Sequence, residues 1–136
     1  MDLEYHKALN SQSNSISDEL CISLATLNFE TRSVSFCAAK NNLIFISSKG
    51  VLIIESGNYS LGSGKTDLSD SEHELTFEKG DVMFMFSTGF ANEIKIKKVI
   101  ESMSDTSLDS IAERLKREAE KSASIKQDLA FIGIEF

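Results

Sequence analysis

Between residues 21 and 55 apolar and polar side chains alternate in short runs. CISLATLNF (21–29), SVSFCAA (33–39), LIFISS (43–48) and VLIIE (51–55) are rich in β-branched and apolar residues. Glu30-Thr31-Arg32, Asn41-Asn42 and Lys49-Gly50 interrupt them as turns. The pattern predicts four strands of an antiparallel meander. Val34, Phe36 and Ala38 share one face of the second. A Gly/Ser/Asp-rich loop follows from Ser56 to Glu72. HELTF (73–77) predicts a strand with Leu75 and Phe77 inward, and Glu78-Lys79-Gly80-Asp81 a hairpin turn. VMFMFS (82–87) is apolar on both faces, as expected of a central buried strand.

Beyond Ser87 the period lengthens. From Phe90 to Met103, Ile94, Val99, Ile100 and Met103 recur at helical spacing. SLDSIAERLKREAEK (107–121) is the clearest helix. Ser107 suits the N-cap, and Asp109 and Ser110 suit the first turn. Leu108, Ile111, Ala112, Leu115 and Ala119 form one apolar stripe. Glu113 pairs with Arg117 and Lys116 on the same face. LAFIGIEF (129–136) closes the chain as a strand, with Ala130, Ile132 and Ile134 on one face.

Strands come first and helices late, so the fold class is α+β: mostly antiparallel sheet with two helices of the C-terminal half packed on one face. Residues 1–17 read as a short helix (2–10) and a polar loop, and 18–136 as a single domain. If the strands form one sheet, its second apolar face needs the 1–10 segment or a partner to cover it.

Composition narrows the function. The chain has 136 residues, 41% hydrophobic, with a formal charge of −7. That argues against general nucleic-acid binding and against an anionic membrane surface. No apolar run is long enough to span a bilayer. MDLEYHKALNSQSN lacks the apolar core of a signal peptide. The two cysteines, Cys21 and Cys37, have no CxxC spacing and read as small buried side chains, so a reducing, cytoplasmic compartment is expected.

The GSGKT within LGSGKTD (61–67) looks like the end of a phosphate-binding loop. That loop needs a glycine five residues before Gly64, where Tyr59 stands, and a helix after it, where the acidic DLSDSEHEL follows. A solvated surface loop is the better reading. His6 and His73 read as surface histidines, since neither has a second ligand at metal spacing. Cys37 has no base or electropositive pocket nearby to make it a nucleophile. The acidic run Asp67–Glu74 lacks the spacing of a calcium loop. Lys95, Lys97 and Lys98 read as a solvated helix face, with a docking patch as the alternative.

Taken in order, several phrases resemble a known family. NFETRSVSFCAAKNNLIFI (28–46) carries Ala38, Ala39 and Asn41 of an A-G-x-N phrase. SLG (60–62) occupies a P-L-G loop, HELTFEKGDVMFMFSTGFANE (73–93) an L-x-x-G-D…S-D-G block, and QDLAFIGIEF (127–136) a closing D-D-[IL] strand. From about Asp18 to Phe136 the chain is similar to the C-terminal half of the metal-dependent serine/threonine protein phosphatases (PPM, type 2C), in the branch of the sporulation phosphatase SpoIIE. The block from Glu78 to Gly89 is its most specific part.

The resemblance implies a β-sandwich, flanked by helices, that hydrolyses phosphoserine with two Mn²⁺ or Mg²⁺ ions. It implies one metal-ligand aspartate in the D-G pair, where this chain has Thr88-Gly89. It implies another as the first residue of the closing pair, where this chain has Gln127-Asp128. The family's earlier G-D-x-x-D phrase has no counterpart in residues 1–17. Neutral Thr and Gln do not offset the dehydration of a hard divalent cation. The expectation is therefore a SpoIIE-like pseudophosphatase with no catalytic residue, no metal and no cofactor. It would bind a bacterial signalling protein, such as a STAS-type antagonist of an anti-sigma factor, or self-associate. The alternatives are an active Mn²⁺- or Mg²⁺-dependent phosphatase completed by another chain, or a structural oligomerisation module.

Overall fold

The strong alternation between residues 22 and 54 is realised as two hairpins that part company. In the computed structural model, which describes residues 20–56, 72–87, 95–121 and 129–136, seven strands form two antiparallel sheets. β1 (Ile22–Asn28), β2 (Ser33–Ala39) and β5 (Glu72–Thr76) make a three-stranded sheet in the order β1-β2-β5. β3 (Leu43–Ser47), β4 (Gly50–Ile54), β6 (Val82–Phe86) and β7 (Phe131–Glu135) make a four-stranded sheet in the order β4-β3-β6-β7. Two helices follow β6: α1 (Ile96–Glu101) and α2 (Leu108–Lys121).

The four-strand meander is therefore corrected. The turn at Asn41-Asn42 does not return the chain along β2 but carries it from one sheet to the other. Lys40 adopts a left-handed φ of 59° there, and Asn41 is buried. Ala38 and Ala39, both almost fully buried, let the chain pass closely at this switch. A hairpin and a sheet switch give the same alternating sequence, because side-chain period is 2 in both.

The expectation of one sheet in need of a cover is corrected too. Apolar residues of β2 (Val34, Phe36, Ala38) face Leu43 and Phe45 of β3, Ile54 of β4 and Met83 of β6 across the sandwich. On the other side of the four-stranded sheet, Ile44, Ile46, Val82, Phe84 and Phe86 pack on Ile96 and Ile100 of α1 and on Ile111 and Leu115 of α2. β3 and β6 are thus apolar on both faces because one layer lies on each. The described residues form three layers, and among them nothing packs on the outer face of the three-stranded sheet.

The turns follow local chemistry. Asn28 Oδ1 accepts the Glu30 and Thr31 N–H groups (3.0 and 3.1 Å), tightening the β1–β2 loop. Ser47 pairs with Gly50 across a two-residue turn, Ser48-Lys49, and Gly50 has a φ of 118° that favours glycine. At α2 the Ser107 carbonyl accepts the Ile111 N–H (3.0 Å), so Ser107 stands at the N-cap as expected. The capping carboxylate belongs to Asp105, which accepts the Ser107 N–H (3.0 Å) and the Ser110 hydroxyl. These bonds hold its carboxyl below its ordinary value, the Ser110 bond most strongly. Glu113 pairs with Arg117 (3.3 Å), and Glu118 pairs with Arg114 and Lys121.

Candidate functional site

The most specific phrase, Glu78-Lys79-Gly80-Asp81, is a structural device. Gly80 has a φ of 90°, open to glycine but strained for other residues. The Asp81 carboxylate is buried and accepts the Glu78 N–H (2.8 Å), while the Asp81 N–H donates to the Glu78 carbonyl (3.1 Å). The turn is then tied to the end of the chain: the Gly80 N–H donates to the Phe136 carbonyl (2.7 Å), and the Phe136 N–H to the Asp81 carbonyl (2.9 Å). Phe136 stacks on Phe77, with ring centroids 3.9 Å apart. The G-D pair therefore launches β6 in register with β7.

The other end of β6 is where the two halves of the sequence pattern meet. β6 and β7 run antiparallel with Phe86 opposite Phe131. The Ser87 N–H donates to the Ala130 carbonyl (2.8 Å), and the Ala130 N–H donates to Ser87 Oγ (3.0 Å). In sequence, Thr88-Gly89 follow Ser87, and Gln127-Asp128 precede Leu129 and Ala130. Thr88, Gly89, Gln127 and Asp128 lie outside the described residues. Asp81 stands at the far end of β6, roughly 20 Å away at about 3.3 Å per residue. Its carboxylate is occupied in the turn and cannot supply a ligand beside Ser87. Among the described residues no three His, Cys, Asp or Glu side chains converge on one point.

Two residues sit differently from the sequence reading. His73 is not a surface histidine: it faces into the sandwich opposite Phe36, and its Nε2 is buried with no hydrogen-bond partner among the described residues. The parity of His73, Leu75 and Phe77 carried that signal. Cys37 is exposed rather than buried, because it lies on the outer face, and Cys21 is half-buried. Lys95, Lys97 and Lys98 are exposed at the rim of a small apolar cavity of about 290 Å³ floored by Ile44, Ile53, Phe86 and Ile96. Lys97 pairs with Glu101 (3.7 Å). His6, Ser60-Leu61-Gly62, the GKT beside it and most of the acidic run lie outside the described residues.

The arrangement as a whole superposes on solved structures. The PP2C domain of SiaA from Pseudomonas aeruginosa superposes with a TM-score of 0.76 at 15% identity, covering 99% of this chain and 59% of that one. The phosphatase domain of SpoIIE from Bacillus subtilis superposes with a TM-score of 0.67 at 14% identity, covering 98% and 64%. This chain has the PP2C phosphatase fold. RsbX, solved in complex with magnesium, matches the PP2C-fold chain with a TM-score of 0.68 at 22% identity, again covering 98% and 64%. The chain thus spans less than two thirds of each of these structures. No protein-family model matches the sequence, and no curated protein matches it. The likeness is one of fold, at 14–22% identity. No helix among the described residues is long and apolar enough to cross a membrane.

Proposed function

We propose that this chain is a non-catalytic PP2C-fold module that acts by binding a bacterial signalling protein in the cytoplasm, with a STAS-type antagonist of an anti-sigma factor as the partner class. The observation that carries the reading is the donor set at the β6–β7 junction. The two strand ends pinned by Ser87 and Ala130 adjoin Thr88-Gly89 and Gln127-Asp128 in sequence, and of these four residues Asp128 alone carries a carboxyl group. A two-ion centre needs several carboxylates to offset the dehydration of Mn²⁺ or Mg²⁺. This donor set does not fit one, and Asp81 is too distant to repair it. A fold that keeps its scaffold without these carboxylates retains a surface for recognising a partner rather than a means of hydrolysing its phosphate.

The test is calorimetric titration of the purified chain with Mn²⁺, beside turnover of p-nitrophenyl phosphate and a phosphoserine peptide. No saturable Mn²⁺ heat and no turnover are expected. Mn²⁺-dependent hydrolysis that is lost on chelation would overturn the reading.

A second reading is favoured by the chain's partial span of the solved structures: an active phosphatase whose remaining carboxylates come from another chain. It requires a G-D-x-x-D phrase in an adjoining reading frame. It also requires turnover to appear when that product is mixed with this chain.

A further inference from the structure

Among the described residues the two sheets have four edge strands, and three of them are guarded. β5 carries Glu72 and Glu74, so pairing it with its own copy would set like charges against each other. β4 starts at Gly50 with its left-handed φ, beside Lys49 and Glu55. β7 ends in Glu135 and has Gly133 at its middle. Short strands, charges and bends of this kind are how proteins keep sheet edges from pairing.

β1 carries none of these guards within the strand, the nearest described charge being Glu30 beyond its end. ISLATLN is seven residues long, with no charge, proline or glycine, and it is the edge strand of its sheet. Its outward face shows Ile22 and Leu24, 37% and 59% exposed, and Phe29 follows at 69%. Among the described residues no strand pairs with its outer edge, and a row of backbone N–H and C=O groups along an edge asks for another strand, not for a helix or a small molecule.

We propose that β1 is a homodimerisation edge that pairs antiparallel with β1 of a second copy, about a two-fold axis through Ala25. Strand β1 is self-complementary in that register. Cross-strand partners must share a face, and the full-overlap register obeys this rule: Ile22 lies opposite Asn28, Leu24 opposite Thr26 and Ala25 opposite itself. On the outward face each apolar residue meets a small polar one, and no charges are brought together. The inward residues of the two strands continue the two sandwich interiors. The product is a continuous six-stranded sheet, β5-β2-β1 of one copy joined to β1-β2-β5 of the other, with an isologous interface. Neither copy's −7 charge opposes it locally, because β1 is neutral. The proposal is independent of whether the β6–β7 junction carries chemistry.

Sedimentation velocity of the full chain between about 1 and 100 µM, the range of a small interface, should show a monomer–dimer equilibrium. Leu24→Lys should weaken the dimer at least tenfold while leaving the circular dichroism and melting of the dilute monomer unchanged, since Leu24 is largely exposed. The axis is tested in a background with Cys21 and Cys37 replaced by Ser. There Ala25→Cys should cross-link the two copies under mild oxidation, because antiparallel partners lie within disulfide reach. Ser23→Cys should not, because its mate is four residues away along the strand. A monomer at every concentration would overturn the proposal. So would a dimer indifferent to Leu24→Lys, or cross-linking at Ala25→Cys no greater than at Ser23→Cys.

Discussion

Gly133 shows how much one missing carbon can decide. A Cβ there would lie 2.5 Å from Leu108 Cδ1 of α2 and 2.5 Å from Phe84 Cε1 of β6. The helix and the strand have closed over the space a side chain would need. Gly133→Ala is therefore expected to destabilise the fold by about 1–3 kcal/mol through overpacking. A lowered urea midpoint at unchanged slope would check it. Asp81 makes the complementary point. Removing its carboxylate with Asp81→Ala leaves the Glu78 N–H without its acceptor at the start of β6. The expected loss is about 1–3 kcal/mol, read by chemical denaturation. If Asp81 were instead a metal ligand, its loss would show in Mn²⁺ binding and leave stability untouched. Gly133 sits in an unexceptional apolar run, so its role was not legible in the sequence. The turn at Glu78-Lys79-Gly80-Asp81 was legible, but as a hairpin, whereas it joins β5 of one sheet to β6 of the other.

α2 illustrates what a helix owes to its ends. Its stripe of Ile111 and Leu115 is buried against the four-stranded sheet, which is why a 3.6-residue period was readable. Its start depends on Asp105, two residues before the N-cap, whose hydroxyl and amide partners favour the ionised carboxylate. A carboxyl held below its ordinary value of 3.8 stabilises the fold above that pH and ceases to as pH falls through the lowered folded value. Wild type should therefore melt above Asp105→Asn at neutral pH, with the gap closing in acid. Thermal melts of both proteins from pH 7 to pH 3 measure it, and a gap independent of pH would refute the carboxylate's role. Ser107 was identified at the N-cap from sequence, but Asp105 was not, because a carboxylate in a polar stretch has no pattern until the backbone folds beneath it.

The four-stranded sheet couples the layers. β3 and β6 contribute Leu43, Phe45 and Met83 to the sandwich interior and Ile44, Val82 and Phe84 to the helix interface. Neither cluster can dissolve without exposing a strand shared with the other. Phe36→Ala in the sandwich should cost about 3–5 kcal/mol and Ile111→Ala beneath the helices about 2–5 kcal/mol. Each should lower a single common transition seen by far-ultraviolet circular dichroism and by the NMR methyl signals of the sandwich interior alike. Separate transitions for helix and sandwich would contradict the shared-sheet account.

Period was what the sequence carried. Residues 22–39, 50–54 and 72–76 alternate as strands, 43–46 and 82–86 are apolar on both faces, and 108–121 has the period of a helix, because each element must turn its apolar side or sides to a core. The α+β class and the likeness to phosphatase phrases followed from that order. The partition into two sheets did not, since an alternating strand shows which side is apolar and not which layer covers it. The crossing at Lys40, the inward turn of His73 and the exposure of Cys37 were all settled by where β2 leaves β3. The β6–β7 junction is of the same kind. The neutral side chains of Thr88 and Gln127 are written in the chain, whereas the side-by-side strand ends at Ser87 and Ala130, and the distance separating them from Asp81, exist only once β7 pairs with β6. Local chemistry is encoded residue by residue, but proximity between residues 43 positions apart arises only from packing.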